Sequence, residues 1–122
     1  MTPPDELGKK GEEIAASYLI NEGYKILERN WFWDHKEIDI IARQGDEIVI
    51  VEVKTREGDY FEEPWEAVSN RKIRNLVVVA EAYLIKWNID YETRFDVISI
   101  IFSDDVNYTL THFPNAFISP VN

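Results

Sequence analysis

Asp39, Glu52 and Lys54 are the residues of this chain whose types and spacing could do chemistry together. Glu52 and Lys54 flank Val53 in Val51-Glu52-Val53-Lys54-Thr55, and Asp39 sits inside Glu37-Ile38-Asp39-Ile40-Ile41. Carboxylates are hard oxygen donors that select Mg2+ or Mn2+. Mg2+ usually takes only one or two of them and completes its shell with water and substrate phosphate. A cation held by Asp39 and Glu52 would lower the pKa of a bound water. Lys54 beside it would orient or activate that water and neutralise charge developing on a phosphate. The backbone carbonyl of Val53, lying between the two functional side chains, is a further candidate ligand. The chemistry open to this set is hydrolysis of a phosphodiester.

Two strands must hold these residues side by side. Residues 37–43 and 47–55 read as strands joined through Gln44-Gly45-Asp46, where Gly-Asp fits the two central positions of a type II′ hairpin turn. That turn sets a register with Ile41 opposite Ile50, Asp39 opposite Glu52 and Glu37 opposite Lys54, all six on one face. Ile38, Ile40, Val49, Val51 and Val53 then take the other face. A hairpin apolar on both sides near its turn belongs in a sheet covered by helices. Carboxylates in such a place either pair or bind a metal. The same residue types also compose an ordinary solvated ion-pair patch, and burial is what separates the two readings.

The surrounding elements follow from periodicity. Residues 5–22 read as a helix with Asp5 as N-cap, Gly23 as stop, and Gly8, Gly11 and Ala15 allowing close approach of a sheet. Residues 24–33 read as a strand followed by a polar turn at Asp34-His35-Lys36. Pro64-Trp65 opens a short helical stretch, and Ser69 caps a long helix over 70–88. Strands are expected at 93–102 and 108–113. The order αβββαββ predicts an α/β domain with a mixed sheet flanked by helices.

Length and composition bound the rest. A chain of 122 residues is about one domain, so residues 1–122 are read as a single unit. The absence of cysteine excludes disulfides and thiolate chemistry. No apolar run approaches the roughly 20 residues that span a bilayer, and the N-terminus lacks a signal-peptide layout, so no membrane partner and a cytoplasmic location are expected. A net charge of −10 counts against a non-specific nucleic-acid binder, so any such contact must be local. Arg56, Arg71, Lys72 and Arg74 could form a basic rim or a solvated face, and Trp31, Trp33 and Trp65 could stack on unpaired bases or anchor the core. Arg94 and Asp96 could be a buried pair or support the site. His35, next to the hairpin, could contact phosphate or simply be exposed, and His112 has no partner at metal-ligand spacing.

The sequence resembles the YraN-like family of small bacterial proteins, itself similar to the Holliday junction resolvase branch of the restriction-endonuclease-like, PD-(D/E)xK, nucleases. The resemblance runs through Gly8-x-x-Gly11-Glu12-x-x-Ala15-x-x-Tyr18-Leu19, Gly23-Tyr24, Arg29-Asn30-Trp31, Glu37-Ile38-Asp39-Ile40-Ile41-Ala42, Val51-Glu52-Val53-Lys54-Thr55-Arg56, Ala67-Val68-Ser69-x-x-Lys72 and Arg94-Phe95-Asp96-Val97. It implies a three-layer α/β/α fold around a central mixed β-sheet. It implies a Mg2+- or Mn2+-dependent DNA endonuclease or nuclease-like DNA-processing protein, acting on branched or single-stranded DNA, with a homodimer compatible. It further implies that Glu12 joins Asp39, Glu52 and Lys54 as a catalytic residue. The helical wheel permits this, although a glutamate early in a helix is also favoured by the helix dipole. The alternative is a catalytically silent nucleic-acid-binding or protein-interaction module on the same fold. Lys36 stands where the family usually has glycine, and Phe32 where it often has arginine; both flank the expected site.

Overall fold

A run of apolar residues at helical spacing, closed by a glycine, forms the first element. In the computed structural model, which describes residues 3–58 and 68–116, helix α1 spans Pro4–Asn21. The N-cap is Pro3, without a side-chain cap, so Asp5 is not the cap expected of it. It lies in the first turn, where its charge complements the exposed N–H groups. The stop is as expected: Gly23 takes φ +93°, and the Gly23 and Tyr24 N–H groups donate to the Ile20 and Leu19 carbonyls in a Schellman closure.

Five strands follow: β1 (Lys25–Trp33), β2 (Lys36–Gln44), β3 (Glu47–Glu57), β4 (Glu92–Phe102) and β5 (Tyr108–Phe113), with helix α2 (Asn70–Lys86) between β3 and β4. Ser69 caps α2 by accepting the Lys72 N–H at 3.1 Å. The helix ends two residues before the expected 88 because Asn88, at φ 52°, closes it as Gly23 closes α1. The expected helical stretch at Pro64-Trp65 lies outside the described residues.

The sheet order is β1-β2-β3-β4-β5, antiparallel throughout except for the parallel β3–β4 pair, so the fold is α/β with a mixed sheet. Each face carries one helix. Ala15, Ala16 and Leu19 of α1 pack with Ile40, Ala42, Val49, Val51, Ile98 and Ile100. On the opposite face Ile73, Leu76, Val79, Ala80 and Tyr83 of α2 pack with Ile38, Ile41, Ile48, Ile50, Phe95 and Val97. The result is three layers, helix, sheet and helix, as the resemblance implies. Among the described residues, no helix is long and apolar enough to cross a membrane.

Two turns set the register of β2. Gly45 takes φ +59° at the first central position of the β2–β3 turn, and Ile41 pairs with Ile50 and Ile40 with Val51 as expected. The β1–β2 turn is Asp34-His35, both at positive φ (51° and 62°), which is the two-residue type I′ pattern.

Close approach of α1 to the sheet occurs at Gly11 and not at Gly8. A Cβ built on Gly11 would overlap Thr55 Oγ1 and lie 3.2 Å from Thr55 Cβ and Cγ2, whereas nothing lies within 4 Å at Gly8. Gly11→Ala therefore overpacks the α1–β3 contact, a cost of roughly 1–3 kcal/mol against a helix-propensity gain below about 1 kcal/mol. We expect net destabilisation in urea unfolding, relieved in the Gly11→Ala/Thr55→Ala double variant, while Gly8→Ala is neutral or stabilising. Equal behaviour of the two glycine variants would contradict this contact.

Candidate active site

A break in sheet regularity sits where the sequence places its chemistry. The β2–β3 ladder ends at Ile40–Val51, so Asp39 and Glu52 are not the directly opposed ladder partners expected of them. Instead Asp39 Oδ2 accepts the Val53 N–H at 2.8 Å, a side chain taking over from a strand. N–H and C=O of one strand residue point to the same side, so the Val53 carbonyl faces the Asp39 side of β3 as well.

The neighbouring strand is distorted at the same level without losing register, its one register shift lying earlier, between Ile26 and Glu28. In the β1–β2 ladder, Arg29 pairs with Ile40 and Trp31 with Ile38, and between them Asn30 takes φ 50°, the left-handed region that asparagine tolerates best after glycine. Across this distortion the alternation of β2 shifts. Ile38 joins Ile41 on the α2 face while Ile40 faces α1, so Ile38 and Ile40 do not share the face assigned to them. Glu37 likewise parts from Lys54. Asn30 Nδ2 donates to Glu37 Oε2 at 3.1 Å and to Glu12 Oε1 of α1 at 2.9 Å, which ties Glu37 to the α1 side. Glu12 is thus joined to the group through Asn30. Neighbouring Glu13 turns away to pair with Arg29 at 3.0 Å.

From the α2 face come Glu52 and Lys54. Glu52 is 5% exposed, and Lys54 Nζ lies 3.9 Å from Glu52 Oε2. Glu52 Oε1 is buried without any hydrogen-bond partner. A buried carboxylate oxygen left unpaired is costly, and it calls for a ligand. The electrostatics agree. Burial and then the Glu52 charge push Asp39 up to about 8, with Glu12 and Glu37 adding to the rise and the Val53 N–H opposing it. Burial also raises Glu52, against the pull of Lys72 first and Lys54 second. Among the described residues, no three His, Asp or Glu side chains converge at metal-holding spacing. The donors on offer are therefore two carboxylates and a carbonyl, which suits a cation that keeps several waters.

Asn30 and Lys72 are the residues whose part the sequence pattern understates. Asn30 could have been found as an asparagine interrupting an aromatic strand. Lys72 gave no more signal than Arg71 or Arg74 beside it, since only the fold brings its charge to Glu52. Arg94, Asp96 and His112 form a separate network. Arg94 makes a two-pronged contact with Asp96 (2.9 and 2.8 Å), and Asp96 also meets His112 Nε2 at 2.7 Å and accepts the Asn115 N–H at 2.9 Å. A cavity of about 720 Å³ lined by Val77, Leu84, Tyr91 and Phe95 touches none of the carboxylate group.

Residues 11–100 match the family model described as "Uncharacterised protein family UPF0102", a span that contains every residue of the carboxylate–lysine group. Similar chains are UPF0102 proteins of Parabacteroides distasonis (41% identical, covering 98% of each chain), Bacteroides thetaiotaomicron (44%, 99% of each) and Flavobacterium psychrophilum (40%, 96% of this chain and 98% of the relative). With near-complete coverage on both sides and a family match over most of its length, the chain belongs to the UPF0102 family.

Proposed function

We propose that this protein is a Mg2+- or Mn2+-dependent DNA nuclease of the PD-(D/E)xK type, with Asp39, Glu52 and the Val53 carbonyl as metal donors and Lys54 as the water-orienting cation. The observation that carries the reading is the unpartnered, buried Glu52 Oε1 beside a second carboxylate pushed up to about 8. A buried acid and a half-buried one that repel each other and leave an oxygen unpaired are poor structural groups and good cation donors. When bound, the ion would polarise a phosphate and supply a hydroxide-like water. Asp39 is held toward that position by the Val53 N–H, and Glu12 and Glu37 are fixed through Asn30. Lys54, close to Glu52 Oε2, can hold the nucleophile and offset negative charge gathering on the phosphate. Lys72 supplies a second positive charge toward the same carboxylate. The alternative is a catalytically silent nucleic-acid-binding or protein-interaction module on the same fold, and the net charge of −10 favours its protein-interaction form.

Labelled junction, flap, single-stranded and duplex DNA incubated with Mg2+ or Mn2+ separate the two. Cleavage is expected, with Lys54→Ala reducing the rate on the order of 10²–10³-fold and Glu52→Gln abolishing it together with Mn2+ binding. Inactivity of the wild-type protein on every substrate and with both metals would leave the binding module.

A pH experiment needs no substrate. Asp39 is raised above its ordinary 3.8, and Glu52 is raised too, so their neutral forms stabilise the metal-free fold at low pH. The Asp39 contribution is lost as pH rises from its ordinary 3.8 through about 8, and Glu52 acts in the same direction. In EDTA the melting temperature should fall across this window, Mn2+ should restore it, and Mn2+ affinity should strengthen with pH as protons leave. Asp39→Asn should flatten the fall and abolish the rescue. A melting temperature that is flat across this window in EDTA would remove the electrostatic basis of the site.

A further inference from the structure

We infer that the tip of the β1–β2 hairpin is a stacking platform for an unpaired nucleobase, with Phe32 as its principal surface, so that the preferred substrate presents unpaired bases beside the phosphate to be cut. The inference rests on the nuclease reading of the carboxylate group and adds a substrate class to it.

Three observations place the platform. Phe32 is 64% exposed and Trp33 43% exposed, neighbouring large aromatics at one hairpin tip whose side chains alternate to opposite faces of the strand. Phe32 pairs across the hairpin with Glu37, whose carboxylate shares the Asn30 amide with Glu12, so the exposed ring sits on the α1 side of the strands next to the carboxylate group. At a strand rise of about 3.3 Å per residue, Phe32 stands about 7 Å along from the level of Asn30 and Asp39, within the span of one extended nucleotide. The tip is held firmly: both turn residues adopt the left-handed conformations of a tight two-residue turn, and Lys36 Nζ meets Asp34 Oδ2 at 3.2 Å.

Charge then decides what the ring receives. With a net charge of −10, the protein cannot draw its affinity from neutralising many phosphates along a duplex. Base–aromatic stacking does not depend on phosphate neutralisation and tolerates any sequence, but it requires a base withdrawn from a double helix. Duplex DNA hides its base faces; a single strand, gap or flap offers them. A second protein chain on the same aromatic tip is the competing occupant.

Binding measured in EDTA, where no hydrolysis can occur, tests the inference separately from catalysis. The probes are a fluorescein-labelled single strand, a duplex of the same length, and a single strand of the same length whose central nucleotides are abasic. The wild-type protein should prefer the single strand to both others. Phe32→Ala should weaken single-strand binding about 5- to 150-fold, with duplex affinity and the slope of affinity against salt unchanged, and Phe32→Trp should restore it. The exposure of Phe32 makes both variants safe for folding, which circular dichroism verifies.

Equal affinity for the three probes, or an equal loss on all of them in Phe32→Ala, would overturn the inference, as would no binding to any probe. So would a shift from dimer to monomer in Phe32→Ala on sedimentation without loss of single-strand affinity, which assigns the tip to a protein contact. Cleavage with no effect of Phe32 sinks the platform and leaves the nuclease; stacking without cleavage in Mg2+ or Mn2+ does the reverse.

Discussion

One hydrogen bond organises this molecule: the Val53 N–H donating to the Asp39 carboxylate at 2.8 Å. A backbone donor inside a sheet must be paired, and nearly always its partner is the neighbouring strand. Here the ladder stops one residue short, at Ile40–Val51, and a side chain takes the donor. The substitution frees the backbone of β2 and β3 to diverge without leaving a buried N–H unpaired. It also draws an acid into the sheet that would otherwise face water. The left-handed Asn30 belongs to the same device, because β1 is distorted where the β2–β3 ladder ends, and its amide then gathers Glu12 and Glu37 toward the gap. With the β2–β3 ladder ended here and Asn30 left-handed on β1, while β3 stays paired to β4 throughout, the carboxylates gather at one level of the sheet between its two helical layers.

The recess is stable only because the layers around it are. The α1 face brings Ala15 and Leu19 onto Ile40, Val49 and Val51, and the α2 face brings Leu76 and Val79 onto Ile41 and Ile50, all buried. Each fully buried aliphatic side chain is worth about 1.5–3 kcal/mol, so a few such contacts offset the repulsion between two neighbouring acids. Gly11 matters for the same reason. By letting α1 lie against Thr55, it sets how near Glu12, one residue on, comes to the strand end carrying Lys54.

Much of this was legible in the sequence, and what was not has identifiable causes. The Gly45-Asp46 turn dictated the register of β2 on β3, and alternation marked which residues of β3 are buried, because both signals are local. Asp39, Glu52 and Lys54 therefore emerged as a group from the chain alone. The face assignment failed at Ile38 and Glu37 because strict alternation assumes unbroken strands. The break is encoded by Asn30, on a different strand, whose left-handed backbone no residue pattern in β2 reveals. Lys72 was hidden differently: it is sequentially remote from Glu52, and only the packing of the α2 N-terminus makes its charge felt there. His112 carried no recognisable spacing, since its partner Asp96 reaches it across two paired strands.

The two sets of acids in this sheet sit in opposite electrostatic surroundings. Asp96, fully buried, is surrounded by donors: both prongs of Arg94, His112 and the Asn115 N–H. Burial alone would raise it, yet these hydrogen bonds hold it below the usual carboxylate range. Tyr18 meets the far nitrogen of His112 and Tyr24 accepts from Arg94, so the network joins α1, β4 and β5 with each charge answered. Glu52 is nearly as buried and Asp39 half-buried, in the opposite surroundings: each is the other's neighbour, Glu12 and Glu37 add like charge beside Asp39, and Glu52 Oε1 has no hydrogen-bond partner. A sheet that satisfies Asp96 so fully has the means to satisfy Glu52. Leaving that oxygen unpaired would cost stability on the order of 1–3 kcal/mol, a cost that a water or a bound ion would remove. The contrast within one sheet, rather than the motif by itself, is the physical reason to look for a cation at Asp39 and Glu52 and not at Asp96.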